Sequence, residues 1–217
     1  MLMRRLYFGI YCLFFVLFGV LCYLAHEYAN FQGDVTVSLW VQGIDFPFFT
    51  FLMKAASYLG RAIPVSITIA VLAVSLLFFR RIWEAFFIVI MPAIAGLVNE
   101  LIKALVDRPR PGGTLAIGTN SFPSGHTTYA TVICGCIFFL APRLLKWPLA
   151  VVVIQVLAVL SIALMGMSRI FLEAHWPSDV LGGLLLGGLV LAPGIFMYKR
   201  YVEGARIKSE VKSARTP

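Results

Sequence analysis

An all-helical, multi-pass membrane protein is the fold class this sequence predicts, and three observations predict it. Of its 217 residues, 60% are hydrophobic. Only 13% are charged, too few to cover a water-soluble globule of this size. The apolar residues also gather in long unbroken blocks rather than at helical or strand spacing. Leu6 to Ala25 runs 20 residues without a charge, close to the ~20 needed to cross a bilayer as a helix.

Taken in order, that first block reads as a retained span rather than a cleaved signal. Arg4 and Arg5 would suit a signal's n-region. The stretch is longer than the usual ~7–15 residues, however, and no A-x-A site follows it. Residues 26–61 come next, a long segment of mixed polarity. Its stretch from Ser38 to Met53 is rich in aromatics (Trp40, Phe46, Phe48, Phe49, Phe51) and poor in charge, so it is expected to lie in the interface or cap the bundle rather than cross it.

Five more blocks follow: Ala62 to Phe79, Ala85 to Asn99, Thr127 to Pro142, Trp147 to Ser168 and Val180 to Tyr198. The block from Ala85 is short, but Leu101, Ile102 and the stem of Lys103 can extend it by snorkelling. The total is six spans in a single domain over residues 1–200, with a short basic tail over 201–217. Pro92 and Pro193 are expected to kink their spans. Gly183-x3-Gly187 allows close helix contact, and packing within a monomer is a simpler use of it than dimerisation.

Orientation follows from lysine and arginine. With the N-terminus inside, twelve cations collect on the inner side: Arg4, Arg5, Arg80, Arg81, Arg143, Lys146, Lys199, Arg200, Arg206, Lys208, Lys212 and Arg215. Six face outward: Lys54, Arg61, Lys103, Arg108, Arg110 and Arg169. Both termini are then expected on the cytoplasmic side. The net charge of +8 sits in short clusters at span ends, a topology signal with anionic headgroup contact as a second effect; it excludes nucleic acid as a partner. Cys12, Cys22, Cys134 and Cys136 all fall within spans and are expected to be free thiols.

Three polar clusters stand at the outer ends of spans. The first is Lys103 with Arg110-Pro111, reached through a Pro-rich turn that cannot continue a helix. Either cation alone could simply snorkel. The second is Ser121-Phe122-Pro123-Ser124-Gly125-His126, running directly into a span. A serine there suits an N-cap, while a helix N-terminus with exposed N–H groups is also an anion site, with His126 at its mouth. The third is Ser168-Arg169-x5-His175-x3-Asp179. Pro177 and Asp179 suit the first turn of the last span, so capping is one reading of the aspartate. The other is that it orients His175, as the acid of a triad orients its histidine. Together the loops can supply cations, an amide cradle, two histidines and an acid, the inventory of phosphoryl transfer with no metal ligand set and no cofactor.

Lys103-x6-Arg110-Pro111, Pro123-Ser124-Gly125-His126 and Ser168-Arg169-x5-His175-x3-Asp179 together resemble the three-part signature of the type 2 phosphatidic acid phosphatase superfamily. The resemblance implies that His175 attacks phosphorus to give a phosphohistidine, with Asp179 orienting it and His126 protonating the leaving oxygen. It implies that Lys103, Arg110, Ser124, Gly125 and Arg169 hold the phosphate. Arg108 is an extra cation expected just behind that shell. Glu173 stands where a small residue is common in this superfamily, and it is expected either to point away or to contact a substrate headgroup. The superfamily also includes soluble vanadate haloperoxidases, an activity that six spans argue against. The short chain is similar to small bacterial membrane enzymes acting on phosphatidylglycerol phosphate, undecaprenyl pyrophosphate or related lipids. The expectation is therefore a metal-independent lipid phosphatase at the outer face, its partners a membrane-embedded lipid phosphate and the bilayer. A lipid phosphotransferase using the same site is one alternative, and a non-catalytic lipid-binding or transport protein another. A degenerate binder should lack one of His126, His175 or Asp179, and this chain keeps all three.

Overall fold

A computed structural model of the chain describes residues 2–111 and 120–205. Its elements are α1 (Leu2–Glu27), α2 (Gln32–Gln42), α3 (Pro47–Leu59), α4 (Ala62–Phe78), α5 (Ile82–Val106), α6 (Gly125–Leu144), α7 (Pro148–Phe171) and α8 (Pro177–Met197). A π-helical turn from Tyr198 to Glu203 continues α8 beyond the expected domain edge at residue 200. Most of the expected tail, residues 206–217, lies outside the described residues, as do Gly112, Gly113 and the rest of 112–119.

Five helices, α1, α5, α6, α7 and α8, are each long and apolar enough to cross a membrane. The sixth crossing differs from the expected one. At 17 residues, α4 is short for a span on its own; it joins α3 through a 67° bend, and the two qualify together. Thus the segment 26–61 is not simply an interfacial loop. It folds into two helices, the second joined to α4 across the bend as a broken span or a re-entrant loop. The bend falls at Gly60-Arg61, where Pro47 at the start of α3 and a capping glycine at its end delimit the helix. Along α2, Asp34, Ser38 and Val41 face inward, while Val37, Leu39 and Trp40 remain exposed, as suits a helix lying on an apolar interface. Phe49 of α3 meets Phe171 edge-on at 5.2 Å, fixing α3 against the end of α7.

The remaining spans hold as expected, and α5 runs through Lys103 to Val106. All four cysteines are free. Without a hydrophobic drive between helices in lipid, close backbone approach decides how spans pack. The last span shows this at Gly183: a Cβ there would sit 2.7 Å from the Ser124 carbonyl and 2.9 Å from Thr127 Cβ, both on α6. The small-residue face of α8 therefore brings the start of α8 beside the start of α6. Stacking of Phe18 on Phe122, with centroids 6.1 Å apart, closes α1 over the same end of the bundle.

Candidate active site

Three helix ends meet where the sequence clusters predict. Ser124 is the N-cap of α6, its hydroxyl accepting from the N–H (3.4 Å) and hydroxyl (3.0 Å) of Thr127. The serine is fully buried, and it caps the helix rather than lining a cavity. The next two residues, Gly125 and His126, do face the cavity. Asp179 stands in the first turn of α8, where its Oδ2 accepts the Trp176 N–H at 2.8 Å. The same carboxylate lies 3.5 Å from the His175 ring, so the capping residue also neighbours the histidine.

His175 is reached by a tight turn off α7. The carbonyl of Arg169 accepts the N–H groups of Ala174 (3.1 Å) and His175 (3.2 Å), folding the chain back on the helix end. Glu173 takes a left-handed backbone, φ 53°, the conformation a helix C-terminus reserves for glycine. A small residue is the expectation at this position, and the left-handed backbone is a local demand that would favour one. The Glu173 side chain is exposed and does not line the cavity.

The imidazole of His175 is buried, with Nδ1 3.5 Å from Asp179 Oδ2 and Nε2 3.4 Å from Arg110 Nη1. Nδ1 makes no hydrogen bond at this separation; Oδ2 is already shared by the Trp176 N–H and the Ser121 hydroxyl. Such contacts tighten in a substrate complex. Burial pushes the His175 pKa down to about 4, opposed by Asp179 and reinforced by Arg110 and Arg169. The ring is therefore neutral at pH 7, with its Nε2 lone pair facing the Arg110 guanidinium. Burial lowers the Arg110 pKa as well, and the Asp179 charge partly restores it.

A cavity of about 650 Å³ is lined in part by His175. At one end it is lined by Lys103, Arg110, Gly125, His126, Arg169 and His175. At the other it runs between α4 (Val65, Ile69, Ala70) and α5 (Val89, Pro92, Ala93). Lys103 therefore turns inward rather than snorkelling, and its ammonium lies 3.3 Å from Glu100 and close to Gly125. Arg169 donates to the Ser57 hydroxyl of α3, and its Nε has no partner. Arg110 donates to the Ala174 carbonyl at 2.8 Å. At the bend between α3 and α4, a Cβ on Gly60 would lie 2.8 Å from Met165 Cε and closer still to His126 Cδ2. Glycine at that point is what lets the His126 ring stand at the cavity wall.

Arg108 faces away from this cavity. It is 1% exposed, donating to Asp179 Oδ1 (2.6 Å), Ser178 Oγ (2.7 Å), Asp34 Oδ2 (2.8 Å) and the Ala29 carbonyl (3.1 Å). Sequence reasoning missed Asp34, Ser57 and Ser178 as parts of this assembly. Asp34 and Ser57 belong to no motif, and their partners lie 74 and 112 residues away. Ser178 had a signal, its place beside Asp179 in the first turn of a span. Among the described residues no three of His, Cys, Asp and Glu are grouped as metal ligands would be.

A lipid-facing helical bundle with paired histidines and three cations around one cavity defines a class, that of membrane enzymes acting on phosphate esters. Residues 83–202 match the PAP2 superfamily, and the chain belongs to that family. Among relatives, it is 27% identical over 179 residues to phosphatidylglycerophosphatase B of Bacillus subtilis (strain 168), covering 81% of this chain and 88% of the relative. It is 33% identical over 174 residues to decaprenylphosphoryl-5-phosphoribose phosphatase of Mycobacterium tuberculosis (strain ATCC 25618 / H37Rv), covering 73% and 87%. The crystal structure of a transmembrane PAP2-type phosphatidylglycerolphosphate phosphatase from Bacillus subtilis superposes with a TM-score of 0.76 at 25% identity, over 89% of this chain and 96% of that one. The protein is a membrane lipid phosphatase.

Proposed function

We propose that the chain hydrolyses a phosphomonoester or diphosphate on a glycerolipid or isoprenoid carrier, through a phosphohistidine on His175 and without a metal. The carrying observation is the shape of the cavity that the two histidines line. Its polar end joins two histidines to Lys103, Arg110 and Arg169, and its other end is an apolar slot between α4 and α5. A substrate with a charged phosphate and long tails fits both ends; a soluble phosphate ester would use only one. The relatives' names add two such lipids, phosphatidylglycerophosphate and a decaprenylphosphoryl sugar phosphate.

In this mechanism the phosphate enters between Lys103, Arg110, Arg169 and the Gly125 backbone at the α6 N-terminus, with Ser124 holding that terminus in shape. The neutral His175 Nε2 attacks phosphorus in line, and the P–O bond to the lipid breaks as His126 gives its proton to the leaving oxygen. Asp179 steadies the cationic ring. Water, deprotonated by His126, then displaces the imidazole and frees phosphate. The excess of lysine and arginine at the opposite end of the bundle supports cytoplasmic termini and an extracytoplasmic site.

Release of phosphate from purified phosphatidylglycerol phosphate, undecaprenyl pyrophosphate, phosphatidic acid and diacylglycerol pyrophosphate tests the reading. At least one should turn over well above water-soluble phosphate esters, and EDTA should change the rate by less than about twofold. Loss of activity on chelation, restored by Mg²⁺, would contradict it.

A further inference from the structure

Asp34 lies on α2, outside every motif, yet it is 3% exposed and every oxygen of its carboxylate is engaged. Oδ1 accepts the Ser178 N–H at 2.8 Å. Oδ2 accepts the Ser178 hydroxyl (2.6 Å), Arg108 Nη2 (2.8 Å) and the Phe31 N–H (3.2 Å). Arg108, its guanidinium 4.8 Å from the Phe31 ring centroid, bridges from Asp34 to Asp179 Oδ1. Two buried carboxylates thus share one buried guanidinium, which leaves the trio with one net negative charge.

That charge balance matters for Asp179. An Arg108 bonded to Asp179 alone would cancel the field that an orienting acid must present to His175. With Asp34 drawing on the same guanidinium, the net anion survives, and burial of Asp179 limits its screening by solvent. The charged groups facing His175 are Asp179 from α8, Arg110 after α5, Arg169 from α7 and, across the cavity, His126 from α6 and Lys103 from α5. All but Asp179 oppose a positive ring, His126 included while it holds the proton destined for the leaving oxygen. Asp179 needs its full charge.

We propose that Asp34 is a positioning residue for phosphoryl transfer, holding Arg108 so that Asp179 stays net anionic toward the ring of His175. The inference rests on the reading of His175 as nucleophile. In the step concerned, the Nε2 lone pair forms the N–P bond as the lipid P–O bond breaks, and the proton of His126 goes to the lipid oxygen. The ring keeps its Nδ1 proton and becomes cationic. Asp34 touches none of these atoms and acts through Arg108 and Asp179.

The test is a charge-balance cycle in the full chain, reading kcat and KM for phosphatidylglycerol phosphate in Asp34→Asn, Asp34→Asn/Arg108→Gln and Gln42→Ala. Gln42 donates to the Ile170 carbonyl at 3.3 Å and so anchors α2 without charge. Asp34→Asn should lower kcat about tenfold or more with KM within about twofold, as expected for an interaction made mainly in the transition state. Removing Arg108 as well restores the net anion, so the double variant should exceed the single in kcat, a non-additivity that mere anchoring does not produce. Gln42→Ala should lose thermal stability and keep its kcat. A double variant no faster than Asp34→Asn, or an Asp34→Asn enzyme with full kcat, overturns the proposal. Where Asp34→Asn does not accumulate folded, the double variant decides: a kcat loss beyond about tenfold overturns it. Full turnover by a His175→Asn control would instead remove the underlying phosphohistidine reading.

Discussion

The two ends of the bundle both carry arginines beside aromatics and carboxylates, and they use them in opposite ways. At the end where α1 begins and α8 finishes, Arg143 is fully committed. Its Nε donates to Glu203 at 2.6 Å, Nη1 to the Phe139 carbonyl at 2.6 Å, and the guanidinium lies 3.7 Å from the Phe139 ring centroid. At the other end, Arg108 is committed in the same manner, but Lys103, Arg110 and Arg169 line a cavity beside two histidines. Charge at a span end therefore does not make a site. What distinguishes this end is a cavity, a neutral buried histidine at its wall, and a buried network behind it that pairs the remaining charges.

The contrast can be broken most severely at the nucleophile. His175→Asn should lower phosphate release by at least about a thousandfold, and His126→Gln by about a hundredfold or more, with both proteins still folded. Arg143→Ala, at the opposite end, should keep kcat within about twofold and cost about 1 kcal/mol of stability at most, since that pair is partly exposed. A large activity loss there would erase the distinction between the two ends.

The smallest effect is on pH-dependent stability. The pKa of folded His175 lies near 4, below its ordinary 6.5, because burial disfavours the charged ring. The unfolded chain then binds more protons between those values, so this residue's contribution is present above pH 6.5 and is lost as pH falls toward 4. Melting of the detergent-solubilised protein should therefore fall over that window, and His175→Asn should flatten the slope.

Much of this was legible in the sequence because it is written locally. Unbroken apolar blocks give spans, and Pro177 and Asp179 at the head of one give its cap. The three motifs converge because each sits at a helix end on one face. What was hidden is non-local. The 67° bend at Gly60-Arg61 depends on how α3 lies against α7. The Asp34–Arg108 pair spans 74 residues with no periodicity to announce it. Arg108 was expected just behind the phosphate-holding residues, but its partners Asp34 and Ser178 were not foreseen. Ser124 was legible twice over, and the geometry supports its capping use.

The central claim is a covalent phosphohistidine on His175. Rapid quench of the enzyme with lipid labelled at the transferred phosphate, followed by peptide mapping, tests it directly. The account predicts an acid-labile, alkali-stable phosphoryl adduct on His175 that forms and decays at rates matching turnover. Turnover without any adduct, or an adduct on another residue, would contradict it.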